Sequence, residues 1–165
     1  MPYLSGMPIL TNDVLEILLR LLAAMLIGSL LGINRDLHGK PIGLRTLALV
    51  CLGTCLISLI FVDMAHPQSD SNIAAVSRVI QGVLAGIGFL GAGVIMHDKE
   101  GLHVKGLTTA ATIWMTAALG VACGLGAWLL AIAGVSLALL VLVIGGPLEK
   151  IIHQKLKPDV PAPGD

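Results

Sequence analysis

The sequence predicts an all-α membrane protein, a bundle of five transmembrane helices with the N-terminus outside and the C-terminus inside. Three observations predict it. The 165 residues are 56% hydrophobic and only 12% charged, with a mean hydropathy of +0.93, and a soluble domain has no use for so much apolar surface. Apolar runs long enough to cross a hydrocarbon core of about 30 Å recur along the chain. Lysine and arginine also segregate to alternate loops: Arg35, Lys40 and Arg45 in the first, Lys99 and Lys105 in the third, Lys150, Lys155 and Lys157 in the tail. The N-terminal segment, the second loop and the fourth turn carry none, so the positive-inside bias puts the basic loops and the tail in the cytoplasm. The formal net charge is zero, so no overall field draws nucleic acid.

Span one, Val14–Ile33, follows Asp13 rather than a basic region, carries Glu16 and Arg20, and lacks a small-residue exit. It therefore reads as a retained helix and not as a cleaved signal peptide. Span two, Leu44–Val62, is closed by Asp63, and span three, Ala75–Met96, opens with Arg78 and Gln81. Span four, Leu107–Cys123, repeats Thr108, Thr112 and Thr116 every fourth residue, placing their hydroxyls on one face. Threonines so placed bond back to their own helix or to a neighbour, and this packing reading is favoured over a polar path. Span five, Ala127–Ile144, follows a tight Gly124-Leu-Gly126 turn and is expected to end at Gly145-Gly146-Pro147, where proline cannot continue the ladder and glycine leaves it readily. Residues 1–147 thus form one transmembrane domain. Residues 148–165 form a short cytoplasmic tail, amphipathic over Leu148–Lys157 and then proline-rich and disordered.

Span three holds Gly82, Gly86, Gly88, Gly91 and Gly93 within twelve residues, each costing about 1 kcal/mol in a soluble helix. In lipid the backbone must bond to itself, so the helix persists, and small residues let helices approach closely. Gly82-xxx-Gly86 is such a pattern, expected to pack inside the protein or against a partner complex. The same run contains Gly86-x-Gly88-x-x-Gly91, the letters of a dinucleotide fingerprint. Its flanks are continuous apolar sequence, and no carboxylate lies near Ala110 and Ala111, so the nucleotide reading fails.

Glu16 and Arg20 lie one turn apart on one face, and Asp63 and Arg78 fall at a similar level near the outer end. An unpaired arginine at mid-membrane costs about 2.5–3.5 kcal/mol. Glu16, Arg20, Asp63 and Arg78 are therefore expected to form an intramembrane charge network, with Gln81 as a cross-helix hydrogen-bonder. The loop His97-Asp98-Lys99-Glu100-Gly101-Leu102-His103 has ligand residue types, but its spacing matches no tight metal motif and it reads as a solvated turn. Cys51, Cys55 and Cys123 fall in apolar spans and read as packing residues. No catalytic constellation is legible, so no enzyme, metal site or cofactor is expected.

The ordered stretches Leu22–Gly32, Gly43-Leu-Arg45-Thr46, Arg78 with Gln81, Gly86–Ile95 and Gly106-Leu-Thr108-Thr109-Ala-Ala-Thr-Ile-Trp114 resemble the transmembrane domain of the MgtC/SapB family. The resemblance runs from about Leu21 to Gly126 and marks Arg35, Gly43, Arg45, Thr46, Gly106, Thr108, Thr109 and Trp114 as motif positions. It implies a multi-pass protein of the bacterial inner membrane, tied to growth or survival at low magnesium and to virulence. It further implies a regulator of another membrane complex, the F-type ATP synthase, with a homo-oligomer possible. A magnesium transporter is the alternative, and only that alternative calls for Mg²⁺. Three features depart from the pattern. Asn34 replaces a glutamate before Arg35, the acidic-proline turn before Arg78 is absent, and only about twenty residues stand where longer members carry an ACT-like domain.

Overall fold

A computed structural model describes residues 11–64, 70–97 and 104–156. Its elements are α1 (Thr11–Leu37), α2 (Leu44–Met64), α3 (Asp70–Ala92), the two-residue strands β1 (Met96–His97) and β2 (Val104–Lys105), α4 (Leu107–Gly124) and α5 (Trp128–Leu156). Segments of α1, α2, α4 and α5 (Val14–Leu37, Leu44–Phe61, Leu107–Gly124 and Trp128–Leu148) are long and apolar enough to cross a membrane. The apolar part of α3, Val76–Ala92, is shorter and sits at the bottom of the roughly 17–25 residues a span requires.

The helix of span three stops at Ala92, four residues before its expected end at Met96. Met96 pairs with Lys105 and His97 with Val104, an antiparallel contact that leads the chain into α4. The junction is Gly106, at φ +94°, where a Cβ would lie 2.0 Å from the Val94 carbonyl oxygen; only glycine fits there. Span five corrects a second expectation. Helix α5 does not end at Gly145-Gly146-Pro147 but runs through Pro147 to Leu156. Proline removes one N–H from the ladder, yet opening the backbone in lipid would leave more polar groups unbonded than that single loss.

The core is built where α1, α2 and α4 meet. Ala24 and Leu31 of α1, Leu47, Cys51 and Cys55 of α2, and Ile113 and Cys123 of α4 are buried together. Two glycine pairs set the spacing. A Cβ at Gly28 would lie 2.5 Å from the Leu47 carbonyl oxygen, and one at Gly32 2.3 Å from the Leu44 Cα. On α4, a Cβ at Gly120 would lie 2.3 Å from the Cys51 carbonyl oxygen, and one at Gly124 2.7 Å from the Cys55 carbonyl oxygen. These are backbone-to-backbone approaches, and van der Waals contact of this kind is what joins helices in lipid. Thr112 donates to the Thr108 carbonyl and Thr116 to the Thr112 carbonyl, both at 2.7 Å. Thr112 and Thr116 of the stripe thus spend their protons on their own helix.

Candidate functional site

At the end of the bundle where α1 begins, Arg20 pairs with Glu16 one turn earlier. Its Nη1 donates to the Gly124 carbonyl oxygen at 2.7 Å, one of the carbonyls that the end of α4 leaves unbonded. A cation there also meets the negative end of the helix dipole. Gly126, at φ +70°, turns the chain against the guanidinium, where a Cβ would come within 2.9 Å of Arg20 Nη2. Arg20 is therefore a clamp on the α4–α5 turn. Arg20→Met should destabilise the protein by about 1.5–3 kcal/mol, the range for a hydrogen bond to a charged group. Glu16 is 57% exposed in its pair with Arg20, so Glu16→Gln should cost under about 1 kcal/mol. Equilibrium unfolding in mixed micelles checks both, and equal losses would contradict the clamp.

Of the expected charge network, the described residues show the Glu16–Arg20 pair. Arg78 and Gln81 are exposed on α3. Asp63 belongs to α2, but its side chain lies outside the described residues, as do Asp98, Lys99, Glu100 and His103 of the loop with metal-ligand residue types.

The opposite end gathers several motif residues. Arg35, expected in a loop, lies in the last turn of α1 and is only 4% exposed. Its Nη2 donates to the Thr109 hydroxyl on α4. The adjacent Asp36 accepts the Leu44 N–H at 2.9 Å and so caps α2. Gly43 makes room for that carboxylate, since a Cβ there would fall 1.6 Å from Asp36 Oδ1. Arg35, Gly43 and Thr109 thus tie α1, α2 and α4 together, Gly106 packs against Val94 instead, and Arg45, Thr46, Thr108 and Trp114 are exposed.

The glycines of the expected span three divide. A Cβ at Gly82, Gly86 or Gly88 would meet nothing within 4 Å. One at Gly91 would lie 3.6 Å from the Ala110 Cβ, and one at Gly93 would contact only the preceding turn, at 3.4 Å from the Leu90 carbonyl oxygen. Among the described residues the Gly82-xxx-Gly86 face is therefore not a packing surface. It is open, together with Arg78, Gln81 and Phe89. The close helix contacts fall instead on Gly28, Gly32, Gly120 and Gly124. The same four-residue spacing marks those pairs in the sequence, but spacing alone does not rank one pair above another.

Long apolar helices packed around an α1–α2–α4 core define a multi-pass α-helical membrane protein. The chain belongs to the MgtC family, whose model matches residues 21–151. It is 46% identical over 137 residues to Protein SrpB of Synechococcus elongatus, covering 79% of this chain and 75% of SrpB. A Haemophilus influenzae protein is 36% identical over 146 residues, covering 87% of this chain and 61% of that protein. Protein MgtC of Salmonella typhimurium is 49% identical over 109 residues, 66% of this chain but 43% of MgtC. No solved structure matches.

Proposed function

We propose that this protein is a regulator in the bacterial inner membrane that acts by docking on another membrane complex, and that it is neither an enzyme nor a transporter. The observation that carries this reading is the open face of α3. Gly82, Gly86 and Gly88 allow a close backbone approach that none of the described residues uses, beside an exposed Arg78 and Gln81. A partner helix bearing an acceptor or a carboxylate would relieve the cost of leaving that arginine in lipid. A magnesium route would need oxygen ligands along the bundle. The buried hydroxyls of Thr112 and Thr116 are bonded back to their own helix, that of Thr109 is engaged by Arg35, and Glu16 is engaged by Arg20.

Membership of the MgtC family extends the proposal to growth at low magnesium, with the membrane sector of the F-type ATP synthase as partner. Purified protein in sealed liposomes should give no magnesium flux. Its presence in inverted membrane vesicles should lower ATP-driven proton pumping, and Arg78→Ala should weaken that effect without lowering the folded yield. Robust magnesium uptake by the liposomes would overturn the reading in favour of a transporter. The proposed orientation is N-out, C-in. Reporter fusions after Lys40, Ser69, Glu100 and within the tail should report inside, outside, inside and inside. An outside signal at Lys40 would reverse the topology.

A further inference from the structure

We propose that the end of the bundle where α1 finishes and α4 begins is an anion site, which takes a phosphate group between the Arg35 guanidinium and the first-turn amides of α4. Helix α4 opens at Gly106, which has no side chain to cap it, and its first turn contains no acid. The Ala110 N–H is the first with a helical acceptor, the Gly106 carbonyl oxygen at 2.9 Å. The amides of Leu107, Thr108 and Thr109 precede it and have no acceptor within the helix. That terminus carries the equivalent of about half a positive charge.

Onto it the fold aims a cation. Arg35 is 96% buried by its 4% exposure, reaches Thr109 in that same first turn, and leaves its Nε buried without an acceptor. Two like charges therefore face each other, and among the described residues no carboxylate pairs with Arg35. The nearest acid in the chain, Asp36, is committed to the Leu44 amide. The Arg35 carbonyl at the end of α1 is likewise taken, by the amides of His38 and Lys40. The Thr109 hydroxyl accepts from Arg35, and a hydroxyl that accepts can also donate. Guanidinium, hydroxyl and helix amides together are the donor set that tetrahedral oxyanions take, because a guanidinium fork spans two phosphate oxygens. The same chemistry is presented by a phospholipid headgroup and by a free phosphate.

The test uses the full chain, delipidated in dodecyl maltoside and chloride buffer. Phosphatidylglycerol is added in one arm and inorganic phosphate in the other, at matched ionic strength, and binding is read by ³¹P line broadening and by the rise in Tm. The native protein and Arg45→Gln, which removes an exposed charge of the same region, should bind alike. Arg35→Gln should bind about ten- to a hundredfold more weakly, the loss expected for charge-assisted hydrogen bonds. Thr109→Val, which keeps the shape, should also weaken binding and decides the matter if Arg35→Gln does not fold. Binding in the first arm alone assigns a lipid headgroup, in the second alone a soluble phosphate, and in both a site open to either. No binding by the native protein in either arm overturns the site. So does a loss in Arg45→Gln equal to that in Arg35→Gln, or unchanged binding in Thr109→Val.

Discussion

Gly120→Leu is expected to leave no stably folded protein in the membrane. A Cβ at this position would lie 2.0 Å from the Thr54 hydroxyl oxygen and 2.3 Å from the Cys51 carbonyl oxygen. The second of these is backbone, so α2 and α4 must separate rather than a side chain swing aside. Overpacking a formed core typically costs about 1–3 kcal/mol. Here the contacts of Cys51, Cys55 and Cys123 in the buried cluster are lost as well, so the cost should reach or exceed the top of that range. Gly82→Leu is the matched control, since its Cβ points into open space and leucine is the better helix former. Folded yield after extraction and resistance to unfolding in mixed micelles should fall steeply for the first variant and hold for the second. Equal behaviour would mean that α2 and α4 are not in contact as described.

The second large effect should appear with the fold intact. Gly86→Leu places a bulky side chain on the open face of α3, where the chain itself offers no obstacle. Insertion, orientation and folded yield should therefore match the native protein. A partner helix seated on that face would be pushed out of van der Waals contact, the main force of association in lipid. Growth at low magnesium should fall to the level of a deletion strain, and the effect on ATP-driven proton pumping should vanish. Gly145→Leu makes the same change at an equally open position on α5 and should be mild. If the two variants behaved alike, the docking face would not lie on α3.

Much of this was legible before folding because membrane helices are dictated by composition and local periodicity. Lipid leaves the backbone no acceptor but its own, so a long apolar run is a helix whatever surrounds it. That argument delivers α1, α2, α4 and α5. It also explains why the expected break at Gly145-Gly146-Pro147 failed, for the same constraint carries α5 across the proline. The back-bonded threonines of α4 followed from their spacing, and so did the Glu16–Arg20 pair one turn apart on α1.

What the sequence determined by itself, then, was the helical membrane class, the approximate spans and the contacts within single helices, since each depends on neighbours three or four positions away. The tertiary structure alone decided which glycine faces close and which stay open. Gly28-xxx-Gly32, Gly120-xxx-Gly124 and Gly82-xxx-Gly86 are the same pattern, yet the first two meet α2 and the third meets nothing. It also drew Arg35 out of the expected loop and against Thr109, 74 positions away, and set Arg20 against the α4–α5 turn, 104 positions away. Spacing in sequence defines a face on a helix; it carries no information about which helix, if any, stands opposite that face.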